Sequence, residues 1–400
     1  MDWEGLAREL TVPTASKIIL LVLDGLGDLP IDGQTPLEKA RTPNLDGLAK
    51  KGVCGLTDPV FPGITPGSGP AHLALFGYDP LRHQLGRGIL EALGSGVEVG
   101  KDDLVARGNY ATLKDGLVVD RRAGRIPTAE NAKLCRQVNQ ALKPKPGLSI
   151  TLYPGKEHRF VVKFSGPGLE DALSDADPQK DHKPRAYTQP LLISAAKTAE
   201  VVNAFLDEVT GLLSGREAAN TILLRGFSKS PALPSMAELY KLKAAACANY
   251  PMYKGLARLV GMKVLEVGEE TGDLFSALEA HYGEHDFFFV HYKKTDAAGE
   301  DGNAQAKTSA IEEIDAFIPR LEALAPDVLV VTSDHSTPCL LKAHSWHPNP
   351  FLLVAQAAFP DDVEVFSERA CGRGSFGRFP SLYAMPLALA HAGKMKKFGA

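Results

Sequence analysis

The 400-residue chain has only five cysteines, which are widely separated and never spaced as C-x-x-C. Such a set argues against a disulfide framework and against a thiolate zinc site. The sequence also lacks a basic N-terminal region followed by a long apolar stretch, and its apolar run at 18–23 is far shorter than the roughly 20 residues that span a bilayer. We therefore predict a cytoplasmic protein with no export signal and no membrane partner.

Net charge is small as well. Lys and Arg total 44 against 48 Asp and Glu, and a balance of −4 gives no indication of nucleic acid as a partner. The apolar fraction of 44% and the charged fraction of 23% are typical of a globular protein, which excludes extensive disorder. The charge is uneven, because residues 101–234 carry +5 and the remainder carries −9. The composition neither predicts nor excludes an oligomer.

Three largely apolar runs, at 18–23, 286–292 and 328–332, are typical of strands buried on both faces of a parallel sheet. The stretch 304–325 has apolar residues near helical spacing and predicts a helix. Strands that alternate with helices predict an α/β fold with a largely parallel sheet flanked by helices. Ligands of such sheets bind outside the carboxyl ends of the strands.

The middle of the chain has a different pattern. Short alternating runs and one helical stretch predict an inserted, smaller α+β domain. We place the core domain at 1–100 and 235–400, and the inserted domain at 101–234.

Carboxylate and imidazole side chains follow the three predicted core strands. Asp24 and Asp296 follow the first two, Asp334 and His335 follow the third, and His344 lies shortly beyond. Hard oxygen and imidazole donors suit Mn²⁺, Mg²⁺ or Zn²⁺. Each carboxylate taken alone is more simply explained as a helix cap or a solvated loop residue. Their joint occurrence at strand ends favours a metal site.

Ser68 follows a Pro-Gly turn and precedes an apolar helical stretch. A serine at a helix N-terminus has backbone N–H groups and the positive end of the dipole beside its oxygen, which favours an alkoxide and an incoming phosphate. We therefore consider Ser68 a candidate nucleophile, with a plain N-cap serine as the alternative.

Basic residues concentrate in the predicted insert. Guanidinium groups bind phosphate and carboxylate bidentately, so a cluster of them would hold a small anionic substrate, whereas a solvated basic surface is the alternative. The candidates are Arg107, Arg121, Arg122, Arg125, His158, Arg159 and Arg225, with Arg87 and Lys254 outside the insert.

Short motifs over most of the chain occur in the order known from one enzyme family. They lie at 23–28, 35–45, 66–68, 71–80, 86–88, 119–126, 157–159, 224–226, 254–258, 333–338, 341–344 and 397–400. On these motifs the sequence resembles the cofactor-independent phosphoglycerate mutases of the archaeal type, members of the alkaline phosphatase superfamily. The resemblance implies an alkaline-phosphatase-like core.

The resemblance also implies a reaction and its cofactors. The enzyme would interconvert 3-phosphoglycerate and 2-phosphoglycerate in glycolysis and gluconeogenesis without 2,3-bisphosphoglycerate, through a phosphoserine at Ser68. It would use two divalent ions, Mn²⁺ or Mg²⁺, with Zn²⁺ and Co²⁺ as alternatives, while the basic residues of the insert and Lys254 would grip the substrate and close the cleft. One ion would be held by Asp24, Ser68, Asp334 and His335, and the other by Asp296, Glu300 and His344.

Two positions depart from the family pattern. Glu300 stands where the family normally has histidine, and a carboxylate there favours harder cations such as Mg²⁺ or Mn²⁺. Asp301 is an alternative to Glu300 as a ligand of the second ion, and His347 is a further candidate for a substitute ligand. The serine loop has Gly69 and Pro70 where relatives often carry Asp-Thr.

Other functions remain open at this level. The same fold and site could serve a related metal-dependent phosphotransferase such as a homoserine kinase, or a phosphatase if water reached the phosphoserine. Glu300 also motivates a third interpretation, a non-catalytic relative that binds a phosphorylated metabolite or a partner.

Overall fold

A computed structural model of the chain describes residues 3–399, so Ala400 of the C-terminal motif lies outside the described residues. The chain divides into two compact units, one formed by the residues up to Gln84 with those from Leu233 onward, and the other by Leu85–Ala232. The second unit begins earlier than the predicted 101, because the helix Arg87–Gly94 packs on strands of that unit. Arg87 therefore belongs to the same unit as the other predicted arginines.

The strands and helices follow one another along the whole chain. The strands are β1 (Ile18–Leu23), β2 (Val53–Asp58), β3 (Asp103–Lys114), β4 (Leu117–Asp120), β5 (Ser149–Pro154), β6 (Arg159–Ser165), β7 (Lys183–Pro184), β8 (Thr221–Lys229), β9 (Ala244–Cys247), β10 (Lys263–Val264), β11 (Phe287–Tyr292), β12 (Val328–Thr332), β13 (Asn349–Ala355) and β14 (Gly377–Pro380). The helices are α1 (Trp3–Leu10), α2 (Pro36–Lys39), α3 (Pro43–Ala49), α4 (Ser68–Leu75), α5 (Arg87–Gly94), α6 (Thr128–Ala141), α7 (Ala196–Leu213), α8 (Met236–Tyr240), α9 (Pro251–Leu259), α10 (Thr271–His281), α11 (Lys294–Asp301), α12 (Ala304–Asp315), α13 (Ile318–Ala323), α14 (Glu368–Cys371) and α15 (Ala384–His391).

The first unit is built on a sheet in which, among the described residues, eight strands run in the order β10-β9-β11-β1-β12-β13-β2-β14. The central strand β1 pairs in parallel with β11 on one side and β12 on the other. Pairing is parallel elsewhere too, except that β13 runs antiparallel to both of its neighbours. The prediction of an α/β fold with a largely parallel sheet is confirmed.

The central strands are apolar because they are covered on both faces. All six residues of β1 and all six of β11 are buried. On one face, Ile19 and Leu21 pack in a core with side chains of α10 and α12.

No helix among residues 3–399 has the length and apolar character needed to cross a membrane.

The predicted helix 304–325 is interrupted, since α12 ends at Asp315 and α13 begins at Ile318. Pro319 explains the break, because its ring would clash with the carbonyl of Asp315 in a continuous helix. Most of the segment 293–302 after β11 forms the helix α11.

The second unit is an α+β structure of its own. Its sheet has the order β5-β6-β3-β4-β7 among the described residues, with β8 on the free edge of the long strand β3, and all of these pairs are antiparallel. Side chains of α6 and α7 form a core with those of β3, β6 and β8. This architecture agrees with the α+β character expected of the insert.

Candidate active site

The candidate site begins at the carboxyl ends of three neighbouring strands. The parallel register sets Leu23 of β1 beside Tyr292 of β11, and Val22 beside Thr332 of β12. The segments after these strands therefore leave the sheet at the same edge. Gly25 permits their close approach, because it has a φ of +62° and a Cβ there would lie 2.6 Å from Asp296 Oδ1.

One group of donors consists of Asp24, Asp334 and His335, whose side chains are completely buried. His335 Nε2 lies 3.4 Å from Asp24 Oδ1 and 3.1 Å from Asp334 Oδ2. Ser68, the first residue of α4, places its Oγ 3.3 Å from the same nitrogen. The structure therefore brings together the four residues expected around the first ion.

Hydrogen bonds around His335 determine which ring nitrogen carries its proton. The Thr337 hydroxyl donates to Asp296 Oδ1, so it accepts the proton of His335 Nδ1 at 3.0 Å. His335 Nε2 then presents a lone pair toward Asp24 and Asp334.

Those two carboxylates each have an unsatisfied oxygen. Asp24 Oδ1 and Asp334 Oδ2 are buried and have no hydrogen-bond partner among residues 3–399. Buried polar atoms without partners are costly, and a shared cation would satisfy both oxygens together with the imidazole nitrogen. The donor set therefore fits a divalent metal ion.

A second group adjoins the first and consists of Asp296, His335 and His344. His344 Nδ1 lies 3.1 Å from the carbonyl oxygen of Pro66 and donates to it, which leaves its Nε2 as a lone-pair donor 3.8 Å from Asp296 Oδ1. The rings of His335 and His344 stack with their centroids 3.6 Å apart. The two groups share His335, so they form one continuous cluster.

Glu300 lies at the margin of this cluster. It follows Asp296 by one helical turn on α11, and its Oε1 is 4.0 Å from His344 Nε2, although its side chain is 56% exposed. Asp301 is exposed, and His347 Nδ1 contacts Ser345 Oγ at 2.9 Å. None of these three residues belongs to the two donor groups found among residues 3–399, and their roles as ligands stay predictions.

Electrostatics separates the two carboxylates of the first group. Burial raises the pKa of Asp334 well above its usual value, and the charges of Asp24 and Asp296 act in the same direction. Burial also opposes ionisation of Asp24. The hydrogen bond with His291 and the charges of His291, His335 and Lys293 outweigh this effect and hold the pKa of Asp24 well below its usual value. In the absence of a cation, Asp24 is thus the carboxylate that carries the negative charge.

Several residues beneath the site were not predicted as site residues. His291, the one imidazole within β11, places Nε2 2.9 Å from Asp24 Oδ2. His72 places Nδ1 2.9 Å from the carbonyl oxygen of Ser68 and 3.3 Å from Asp334 Oδ2. Lys293 contacts Asp296 through Nζ, which also lies 3.3 Å from Asp24 Oδ2. A polar residue inside an apolar strand was the sequence signal that could have indicated His291.

Within the second unit, arginine side chains gather on neighbouring strands. Arg107 of β3 pairs directly with Arg225 of β8, and Arg87 packs against Gly226. Like charges that face each other across two strands are unfavourable. Carboxylates offset part of this charge, since Glu91 Oε2 lies 3.8 Å from Arg107 Nη1, and Asp175 and Asp177 lie 3.5 and 3.6 Å from Arg225 Nε. The Nε atoms of both arginines are nevertheless buried without a hydrogen-bond partner among residues 3–399, which favours binding of an anion. Burial lowers the pKa of Arg107, and the nearby charges of Arg159, Arg225 and Arg87 lower it further, against the opposing effect of Glu91.

Arg121 has a different environment. Its Nε and Nη2 donate to the two carboxylate oxygens of the buried Asp177, each at 2.9 Å, and its Nη1 donates to the carbonyl of Gln179. This guanidinium is therefore engaged within its own unit. The remaining predicted residues are Arg122 and Arg125, which are exposed, His158, which is buried, and Lys254, which is half-buried on α9 of the first unit.

Fold and site together define an α/β protein that carries, at the carboxyl edge of its sheet, a serine among carboxylate and imidazole side chains that could hold a metal ion. A family model described as 2,3-bisphosphoglycerate-independent phosphoglycerate mutase matches residues 49–219. A Thermosipho africanus protein named "Probable 2,3-bisphosphoglycerate-independent phosphoglycerate mutase" is 54% identical over 401 residues, with both chains covered in full. A Thermus thermophilus protein of the same name is 49% identical over 406 residues, again with full coverage.

A solved structure agrees with these relatives. The cofactor-independent phosphoglycerate mutase from Thermoplasma acidophilum superimposes with a TM-score of 0.80 at 33% identity, over 94% of this chain and 100% of that chain. The chain belongs to the 2,3-bisphosphoglycerate-independent phosphoglycerate mutase family, as its motifs predict.

Proposed function

We propose that the protein is a metal-dependent phosphoglycerate mutase that interconverts 3-phosphoglycerate and 2-phosphoglycerate without 2,3-bisphosphoglycerate. The single observation that supports it most strongly is the position of Ser68, whose Oγ lies 3.3 Å from His335 Nε2 beside the unsatisfied oxygens of Asp24 and Asp334. Full-length relatives that bear the name of this activity support the choice of substrate.

Ser68 is the proposed nucleophile. Its Oγ attacks the phosphorus of 3-phosphoglycerate and gives up its proton, the bond to the 3-oxygen breaks, and that oxygen of glycerate takes up one proton. In the second half of the reaction, the 2-hydroxyl of glycerate attacks the phosphoserine and gives up its proton, the bond to Ser68 breaks, and Ser68 Oγ is protonated again. The first backbone N–H groups of α4 lie beside Ser68 and favour the phosphoryl group electrostatically.

Two divalent ions, Mn²⁺ or Mg²⁺, would lower the pKa of the serine hydroxyl and neutralise phosphoryl charge when bound. Zn²⁺ and Co²⁺ are the alternatives. For the second ion we propose Glu300 as an additional ligand, because it lies one helical turn from Asp296 and near His344. One ion would be held by Asp24, Ser68, Asp334 and His335, and the other by Asp296, Glu300 and His344.

The substrate carries a phosphate and a carboxylate, and we propose that the arginines of the second unit bind these groups. The directly paired Arg107 and Arg225, with Arg87, are the strongest candidates, because the Nε atoms of Arg107 and Arg225 are buried without a hydrogen-bond partner among the described residues and an anion would satisfy them. For Arg121 we propose a structural role, since Asp177 already accepts from its guanidinium group through both oxygens. Exclusion of water from the phosphoserine would separate a mutase from a phosphatase.

The test uses the purified chain with 3-phosphoglycerate and no bisphosphoglycerate, followed by ³¹P NMR. We expect the 2-phosphoglycerate signal to grow, to stop growing with chelator, and to return with Mn²⁺ or Mg²⁺. Release of inorganic phosphate alone would instead indicate a phosphatase. Phosphorylation of homoserine by ATP, without mutase activity, would indicate the related kinase. Activity that chelator leaves unchanged would refute metal dependence.

A further inference from the structure

A buried ion pair lies behind the ligand-carrying loops. The side chains of Lys307 on α12 and Asp28 in the segment after β1 are both completely buried, and Lys307 Nζ lies 2.8 Å from Asp28 Oδ2. Neither residue belongs to the donor groups described above, and the proposed reaction assigns no step to either of them. A fully buried lysine is rare and requires a compensating arrangement.

That arrangement joins two loops. An ammonium group has three protons to donate. Lys307 Nζ contacts three acceptors, namely Asp28 Oδ2, the carbonyl oxygen of Gly27 at 3.2 Å and the carbonyl oxygen of Thr337 at 2.9 Å. Asp28 makes a second connection, because both of its oxygens accept from the backbone N–H of Cys339 at 3.1 Å. The pair thus ties the segment after β1 to the segment after β12.

Both segments carry proposed ligands. Gly27 is three residues from Asp24, and Thr337 is two residues from His335. Thr337 also contacts Asp296 and His335 through its hydroxyl, which fixes the proton on His335 Nδ1. A shift of Thr337 relative to Gly27 would therefore change both the separation of the donors and the state of the imidazole.

Stability alone does not require this pair, since well-packed apolar residues often replace a buried ion pair without loss. We propose that Lys307 is a positioning residue that, together with Asp28, holds the segments 24–28 and 333–339 at the separation at which their side chains share a cation. The inference rests on the proposed function for its metal ions, and it adds residues that do not contact them.

The test compares Lys307→Met with the double variant Asp28→Asn/Lys307→Met, which leaves no unpaired buried charge and should fold even if the single variant does not. Lys394→Met is the matched control. Lys394 is equally buried, but its Nζ contacts the carbonyl oxygen of Thr14 at 2.9 Å and lies 3.6 Å from Asp286 Oδ2, at the amino ends of the strands. Each variant is studied by chemical unfolding, by calorimetric titration of the metal-free protein with Mn²⁺, and by steady-state kinetics.

We expect the Mn²⁺ affinity and kcat of the double variant to fall about 10- to 100-fold, the range typical of residues that orient metal ligands, with KM for phosphoglycerate unchanged. Lys394→Met should lose stability and keep its Mn²⁺ affinity. A folded double variant that binds Mn²⁺ as the wild type does would overturn the proposal, and so would an equal loss of affinity in Lys394→Met. If the wild type bound Mn²⁺ but did not act on phosphoglycerate, only the proposed function would fail, and the titrations would still test Lys307.

Discussion

His291 and Asp24 form a completely buried pair in which the imidazole Nε2 lies 2.9 Å from the carboxylate Oδ2. The N–H of His291 fixes the carboxylate so that the other oxygen, Oδ1, faces His335. The ring of Tyr253 stacks on His291 with a centroid separation of 3.6 Å, which restricts rotation of the imidazole. The orientation of Asp24 is therefore determined by residues that do not themselves belong to the donor groups.

Replacement of His291 by Phe keeps the stacking and removes the donor. We expect Mn²⁺ affinity, measured by calorimetric titration, to fall about 10- to 100-fold while the protein stays folded. His285→Phe is the control, because His285 is buried two residues before the same strand and belongs to neither donor group. Unchanged Mn²⁺ affinity in His291→Phe would argue against this orienting role.

Glu300 should determine metal preference. In Glu300→His, an imidazole replaces a carboxylate, so we expect activity with Zn²⁺ and Co²⁺ to rise relative to activity with Mg²⁺ and Mn²⁺. The measurement is the rate with each metal after removal of bound ions, and Asp301→Ala serves as the control because Asp301 is exposed. The same order of metals in both variants would exclude Glu300 as a ligand.

Arg121 should contribute to the stability of the protein, whereas Arg107 should contribute to substrate binding. Arg121→Ala leaves the carboxylate of Asp177 buried without its bidentate partner, and we expect the free energy of unfolding to fall by about 2–4 kcal/mol. Arg107→Ala removes one of two facing like charges together with a long, partly exposed ion pair to Glu91, so stability should change little while KM for phosphoglycerate rises. Urea unfolding and steady-state kinetics on both variants decide the assignment, and the reverse pattern would contradict it.

Glu368 should make stability depend on pH. Burial raises its pKa to about 7, although Thr35 Oγ1 and the backbone N–H of Asp28 donate to the carboxylate. Between the ordinary pKa of 4.5 and this raised value, the unfolded chain releases a proton that the folded protein keeps. The stabilisation that Glu368 provides is therefore complete below pH 4.5 and is lost as pH rises through 7.

Glu368→Gln cannot ionise and supplies the reference for that effect. From pH 5 to pH 8, in chelator, we expect the free energy of unfolding of the wild type relative to the variant to fall by about 2 kcal/mol. Urea unfolding at the two pH values measures this difference. A difference independent of pH would mean that Glu368 ionises normally in the folded protein.

The sequence indicated the core sheet and the carboxylate and imidazole groups that gather at its edge, because both depend on local pattern. The runs that form β1, β11 and β12 are apolar since the residues on both of their faces are buried, and the parallel arrangement brings Asp24 and Asp334 to one edge. Ser68 could be named as a candidate nucleophile because the turn before it and the apolar stretch after it indicate the start of a helix.

Contacts between segments that are distant in the sequence could not be predicted from local sequence pattern. Lys307 lies among polar residues of α12 and is expected to be exposed, and only the tertiary structure brings Asp28 to it from 279 residues away. The engagement of Arg121 by Asp177 likewise spans 56 residues. The start of the second unit at Leu85 depends on the packing of α5, whose sequence alone does not assign it to either unit.

The most direct test of the central claim, transfer of phosphate through Ser68, compares the wild type with Ser68→Ala in Mn²⁺ and 3-phosphoglycerate without bisphosphoglycerate. We expect phosphate on Ser68 of the wild type, detected by mass spectrometry after acid quenching, and interconversion in Ser68→Ala slower by at least about 10³-fold. Interconversion by Ser68→Ala at the wild-type rate would contradict the mechanism.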